Sequence, residues 1–300
     1  MSAERVLKTL LERLWNIYRS RVTYARKYAE LVEARGGLVV NDHIAFRTFK
    51  APTGSQPAGI AGIERVFLSL GYRPAGEYAF PDTHLSARHY QHPDPLAPKI
   101  FISQLEVDEL PEQVANKIRE AISDARDHLD AKGLRQVNED LTDAQVDALA
   151  DQLVTFFTML PWPLPKASLI REINAASQYA AWTLLHGNNV NHFTAYINEQ
   201  SVPEWPDIEA TVDALIRAGV PMKREIEGAR GSKLRQTATQ AVDVDCPVLA
   251  DDGRPTTLRW AYAYYELAER GEITDESGRR VRFQGFLGPQ AAQLFEMTRR

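Results

Sequence analysis

The chain has 300 residues, 44% of them hydrophobic and 25% charged, with a formal net charge of -5, the composition of a globular protein with a sizeable core. Basic residues are scattered among acidic ones, so no nucleic-acid-binding stripe is present, and no apolar run approaches the ~18 residues of a membrane span. The single cysteine, Cys246, excludes an internal disulfide or a CxxC metal knuckle and, with a charged N-terminus that lacks an apolar targeting segment, points to a cytoplasmic setting.

Taken in chain order, residues 3–34 carry Val6, Leu7, Leu10, Leu11 and Leu14, then Tyr18, Val22, Tyr28 and Leu31, at helical spacing. Gly36-Gly37 ends that pattern. The period then becomes two over Asp42–Phe49, which predicts a strand. A short helix over about Ile60–Leu70 follows, then strands near Tyr72–Phe80, His84–Tyr90 and Lys99–Leu105. The middle reads as helices over Leu110–Ile122, Thr142–Met159 and Lys166–Leu184. Period two returns in Val190–Ile197, a helix covers about Ile208–Ala218, and strands are expected at Met222–Ile226, Lys233–Val242 and Leu258–Leu267.

Residues 43–105 and 190–267 therefore both spell β-α-β-β-β. Each half alone leaves one sheet face uncovered, so pairing the halves buries a shared interior. The expected fold is α+β: paired βαβββ modules forming a partly closed, barrel-like sheet with added N-terminal and central helices. It is expected as a single domain over 1–300, in which 1–37 is an N-terminal helical segment, 38–106 the first module, 107–188 a helical insertion and 189–300 the second module with a C-terminal segment.

Side chains alternate along a strand, so His43, Ala45 and Arg47 share one face while Ile44 and Phe46 share the other, apolar one. The apolar face is expected to meet the covering helices, leaving His43 and Arg47 looking into the concave interior with their Cα atoms about 13 Å apart. A metal at the histidine and a guanidinium that grips a carboxylate bidentately would bracket a small dicarboxylate. His192 occupies the matching position in the second half. In the last strand Trp260, Tyr262, Tyr264 and Glu266 are expected on one face, where a carboxylate needs a cation. That cation is either an arginine such as Arg270 or a metal shared with the two histidines. Two His and one carboxylate form the facial triad of non-haem Fe(II) oxygenases, and the same set also suits Zn²⁺ or Mn²⁺. His186, beyond the Gly187-Asn188-Asn189 turn, reads as a turn or supporting group, and His84, His89 and His92 as surface or hairpin residues.

These residues also carry a resemblance. Asp42–Phe49, Val190–Thr194, Ile226-Glu227-Gly228 with Leu234–Thr237, Tyr265–Arg270, and Gly285-Phe286-Leu287 with Ala291-Ala292 and Phe295 are similar to signatures of the 2-oxoadipate dioxygenase/decarboxylase family, the hydroxyglutarate synthase group. The similarity runs over about residues 10–298, and the family's fold is related to the vicinal oxygen chelate group. The resemblance implies that His43, His192 and Glu266 bind Fe(II), that substrate lies against the two histidines, and that Arg47 holds its distal carboxylate. It also implies a substrate contact at Pro289 and Gln290, where this sequence departs from the Val-Ser expected in longer bacterial members of the family. The implied reaction converts 2-oxoadipate and O2 to 2-hydroxyglutarate and CO2 in lysine catabolism, with no nucleic-acid or membrane partner. The alternatives are a Zn²⁺- or Mn²⁺-dependent isomerase or hydrolase on the same fold, and a non-catalytic module that binds a small ligand without metal.

Overall fold

The computed structural model describes residues 2–129, 131–223 and 225–287. In chain order the elements are α1 (Ser2–Arg21), α2 (Thr23–Glu33), β1 (Asn41–Lys50), α3 (Ile60–Ser69), β2 (Arg73–Phe80), β3 (Leu85–Gln91), β4 (Lys99–Glu106), α4 (Glu112–Ile122), α5 (Ala131–Gln136), α6 (Asp143–Thr158), α7 (Ala167–Ala176) and α8 (Gln178–His186). They continue with β5 (Val190–Tyr196), α9 (Ile208–Arg217), β6 (Leu234–Ala238), β7 (Val242–Leu249), β8 (Pro255–Ala263), β9 (Glu266–Arg270), β10 (Glu272–Thr274) and β11 (Arg280–Arg282). Among the described residues no helix is long and apolar enough to cross a membrane.

Seven strands form one curled sheet in the order β2-β3-β4-β1-β5-β9-β6. In the first half β1 runs parallel to β4, with β3 antiparallel to β4 and β2 antiparallel to β3. The second half repeats this with β5 parallel to β9 and β6 antiparallel to β9. Of the stretch expected as a strand over Met222–Ile226, Met222 makes an isolated bridge to Thr239, and Glu227, just beyond it, makes one to Gln236 of β6. The halves meet where β1 and β5 pair antiparallel. This is the paired βαβββ architecture expected from the sequence.

The strand expected over Leu258–Leu267 is two strands. β8 pairs with β7 in a separate two-stranded sheet, and β9 enters the main sheet. The break falls at Tyr264-Tyr265, where the Tyr18 hydroxyl donates to the Tyr264 carbonyl and Tyr265 exchanges backbone and side-chain hydrogen bonds with Thr239. The β7–β8 hairpin is thus an insertion between the third and fourth strands of the second half.

The long N-terminal helix divides at Val22, whose extended backbone (φ -94°, ψ 89°) ends the first helix. The bend lets Tyr18 and Tyr28 approach the core from both segments, Tyr28 packing 5.2 Å from Tyr265. The helix expected over Lys166–Leu184 divides at Ser177, whose side chain accepts from the Ala180 amide as an N-cap. Thr142 and Gln145 form a reciprocal capping box at the start of α6.

Ile44 and Phe46 face outward onto α3 and α6, the Phe46 ring lying tilted 5.4 Å from Phe67 of α3 and 5.0 Å from Phe157 of α6. The concave side is filled differently. Ala45, Phe49, Phe101 and Leu105 pack with α4, α7 and α8 and with Val248 and Trp260 of the hairpin. The central helices therefore plug the interior of the half-barrel. Gly187, at φ 57° and ψ -128°, turns the chain from α8 into β5, and a Cβ there would lie 2.6 Å from Pro161.

Candidate metal centre

His43 and His192 lie 149 residues apart in sequence, and the β1–β5 pairing makes them equivalent. His43 lies opposite Thr194, and Ala45 lies opposite His192. A local two-fold axis between the strands exchanges these pairs. The same axis carries the contact Ala45↔Phe101 onto Thr194↔Glu266. Glu266 therefore occupies the position that Phe101 occupies in the first half.

The three expected ligands converge. The histidine Nε2 atoms are 3.4 Å apart, His192 Nε2 is 3.3 Å from Glu266 Oε2, and His43 Nε2 is 3.8 Å from Glu266 Oε1. Two donors each about 2.1 Å from one ion stand roughly 3.0 Å apart at a right angle and about 3.4 Å apart at a tetrahedral one. These separations suit a single small cation. Among the described residues no other group of three such side chains could hold a metal.

Glu266 is fully buried, and neither of its carboxylate oxygens accepts a hydrogen bond among the described residues. Burial, then the charges of Glu227 and Asp42, push its pKa well above the usual carboxylate range. Burial also lowers the pKa of both histidines, which favours the neutral imidazoles that bind metals. An orphaned carboxylate facing two neutral imidazoles is the environment a divalent ion satisfies.

Each histidine is oriented by the residue before it. In a regular strand neighbouring side chains point to opposite faces. Here the β1–β5 register shifts between Asn41 and His43 and again between Ala45 and Phe46, so Asp42 and Asn191 are the extra residues of two symmetry-related bulges. The bulges bring Asp42 Oδ2 within 2.8 Å of His43 Nδ1 and Asn191 Oδ1 within 3.0 Å of His192 Nδ1. Both contacts leave Nε2 as the inward atom. Thr194 Oγ1 stands 3.1 Å from His43 Nε2.

Asp42 is in turn held by Arg270, through Nε and Nη2, and lies 3.7 Å from the Lys99 ammonium. Burial would raise its pKa, but Arg270, Lys99 and the His43 hydrogen bond hold it well below the usual range. Arg270 was the alternative partner for Glu266; the structure gives it to Asp42. Its Nη1 also donates to the carbonyls of Phe283 (3.1 Å) and Gly285 (2.8 Å). That ties down a strap, residues 283–287, whose Phe286 ring meets His43 edge-on at 4.9 Å.

A small cavity opens on the three candidate ligands. Its wall includes Arg47, Phe101, Ser103, Asn191, Gln236, Tyr264, Phe286 and Leu287. Arg47 is fully buried, its guanidinium 4.9 Å from the Tyr179 ring and 5.2 Å from Trp182, both on α8. Pro289 and Gln290 lie outside the described residues. His186 stands away from this wall, against Trp182 (4.7 Å) and Tyr262 (5.0 Å). His89, expected near the surface, is buried because Tyr78 and Phe286 cover it.

A family model described as 2-oxoadipate dioxygenase/decarboxylase matches residues 6–296. The chain belongs to that family. It is 31% identical over 318 residues to the chloroplastic/amyloplastic 2-oxoadipate dioxygenase/decarboxylase of Oryza sativa subsp. japonica, a match spanning 99% of this chain and 79% of that one. The chloroplastic Arabidopsis thaliana protein of the same name is 28% identical over the same shares. Among solved structures, hydroxyglutarate synthase from Oryza sativa in complex with 2-oxoadipate matches with a TM-score of 0.77 and 26% identity, over 99% of this chain and 93% of that one. A glyoxalase-superfamily protein from Ralstonia eutropha has a TM-score of 0.82 at 24% identity, over 94% and 85%. The latter likeness places the fold with the vicinal oxygen chelate architecture. Family membership makes the chain an oxygenase/decarboxylase-type enzyme.

Proposed function

We propose that this protein is an Fe(II)-dependent 2-oxoadipate dioxygenase/decarboxylase that converts 2-oxoadipate and O2 to 2-hydroxyglutarate and CO2 in lysine catabolism. The observation that carries it is the orphaned Glu266 carboxylate, buried against two oriented imidazoles in one cavity with Arg47. His43, His192 and Glu266 would hold the iron. Bound there, Fe(II) supplies the electrons for O2 reduction and open positions for the 2-oxo acid and O2. The substrate brings its own 2-oxo group, so no second oxo acid is needed. The single cysteine fits a reducing, cytoplasmic setting.

The chain's own residues position and shield. Arg47, stacked on Tyr179 and Trp182, presents a planar fork to the distal carboxylate. Phe101 and Phe286 make the wall by the ligands apolar, which excludes water from the reacting end. Asp42 and Asn191 keep a proton on each Nδ1, so the imidazoles stay in the tautomer that bears the inward lone pair.

The decisive experiment loads the protein anaerobically with Fe(II) and measures O2 uptake and CO2 release with 2-oxo diacids of increasing length. Equal uptake of O2 and release of CO2, best with 2-oxoadipate, is expected. Turnover with Zn²⁺ or Mn²⁺ and no O2 uptake would establish an isomerase or hydrolase instead. Ligand binding that ignores metal would establish a binding module. Arg47→Lys keeps the charge but loses the fork; the KM for 2-oxoadipate is expected to rise roughly 10- to 100-fold while Fe(II) affinity stays at the wild-type value.

A further inference from the structure

Asp42 and Asn191 are equivalent by the local two-fold axis, yet one is an acid and the other an amide. The surroundings explain the difference. Arg270 donates to both Asp42 oxygens, and Lys99 lies 3.7 Å from the Oδ1 that His43 leaves open. Asn191 is also buried, at 2% exposure, and lines the cavity. Its Oδ1 is occupied by His192 Nδ1, while its Nδ2 has no hydrogen-bond acceptor among the described residues. The amide is not free to flip. If Nε2 of His192 offers its lone pair inward, Nδ1 carries the proton, and only an oxygen can sit opposite it. The side-chain NH2 is therefore a fixed, unsatisfied donor in the cavity wall, and a buried donor of that kind calls for an acceptor.

The strand register says where that acceptor lies. Ala45 stands opposite His192 and Phe46 opposite Val190, with Asn191 bulged between. Arg47 is the next residue along β1 and lines the same cavity. Asn191 and Arg47 thus stand near one another on the paired strands β5 and β1 and line the same cavity.

We propose that the Asn191 side-chain amide is a second donor to the distal carboxylate of a 2-oxo diacid, acting beside Arg47 as a specificity-determining contact. The proposal rests on the 2-oxo diacid function above. An aspartate at 191 would preserve the His192 hydrogen bond but set an anion against the substrate's own anion, which accounts for the amide at this half of the repeat. One residue would then serve two ends: its oxygen orients a metal ligand, and its nitrogen selects a diacid over a monoacid.

The test compares wild type with Asn191→Asp and Asn191→Ala, measuring Mn(II) binding by calorimetry and then, on the Mn(II) protein without O2, binding of 2-oxoadipate and of 2-oxohexanoate. The second acid has the same six carbons but no distal carboxylate. Asn191→Asp is expected to keep Mn(II) affinity, lose about tenfold or more in 2-oxoadipate affinity, and leave 2-oxohexanoate within about twofold. Asn191→Ala is expected to lose the same diacid preference and, with His192 unsupported, about 10- to 100-fold in Mn(II) affinity. Equal losses for both oxo acids, or none for 2-oxoadipate, would overturn the proposal while leaving the function standing. A wild-type protein that binds Mn(II) but no 2-oxo diacid would remove both.

Discussion

Glu266→Ala is expected to lose metal binding altogether and to lower 2-oxoadipate-dependent O2 uptake by at least about a thousandfold, the equivalent of roughly 4 kcal/mol of transition-state stabilisation. The stability of the variant separates this role from a structural one. In the metal-free protein the carboxylate has no hydrogen-bond donor among the described residues and is fully buried, so removing it relieves a desolvation cost. The metal-free variant should therefore melt at or above the wild-type temperature. Wild type should melt higher when Mn(II) is added, because an ion that binds only the folded state stabilises it, and the variant should not respond. A variant that melts well below metal-free wild type would instead mark Glu266 as half of a stabilising ion pair.

Arg270→Ala should be the most destabilising single substitution near the site. Arg270 and Asp42 are each fully buried at the side chain, and truncating one member of such a pair leaves the other charge uncompensated. The expected cost is about 3–5 kcal/mol in urea unfolding. Adding Asp42→Asn to the variant removes the stranded anion and should recover at least about 1 kcal/mol, a coupling that independent sites would not give. The guanidinium also holds the carbonyls of Phe283 and Gly285. Amide hydrogen exchange over 283–287 should accordingly quicken in the variant beyond the change in global stability. A loss below about 1 kcal/mol, with exchange unchanged, would show that Lys99 alone suffices to hold Asp42.

The sequence reports the convergence of His43, His192 and Glu266 well because strands with a regular period announce their faces. His43, Ala45 and Arg47 lie on the concave side and Ile44 and Phe46 on the helix-covered side, as alternation requires. Bulges break that rule, so Asp42 and Asn191 were invisible as supporting groups. Their one signal was a short polar residue immediately before each matching histidine. Alternation brings Glu266 to the right face for a partly mistaken reason: it puts Glu266 on a continuous strand with Trp260, Tyr262 and Tyr264, but the chain leaves one sheet and joins another at Tyr264-Tyr265. A break formed by distant partners, here Tyr18 and Thr239, leaves no local mark in the pattern. The β7–β8 hairpin was missed because its first strand alternates apolar side chains with exposed acids such as Asp243 and Asp245, which resembles a fraying end.

The helical middle has a purpose in this arrangement. Its last helix, α8, sets Tyr179 and Trp182 against the Arg47 guanidinium, and Trp182 Nε1 donates to the Tyr262 carbonyl at 2.6 Å. The hairpin is fastened to the same helical layer where Leu249 bridges Lys166 and its amide donates to Pro165. The support of the Arg47 guanidinium, the proposed grip on a carboxylate, therefore lies outside the cavity. If Arg47 is that anchor, drift in the hairpin or in α8 would shift its depth by small steps while His43, His192 and Glu266 stay in place, and preferred chain length would change without a change in any residue lining the cavity.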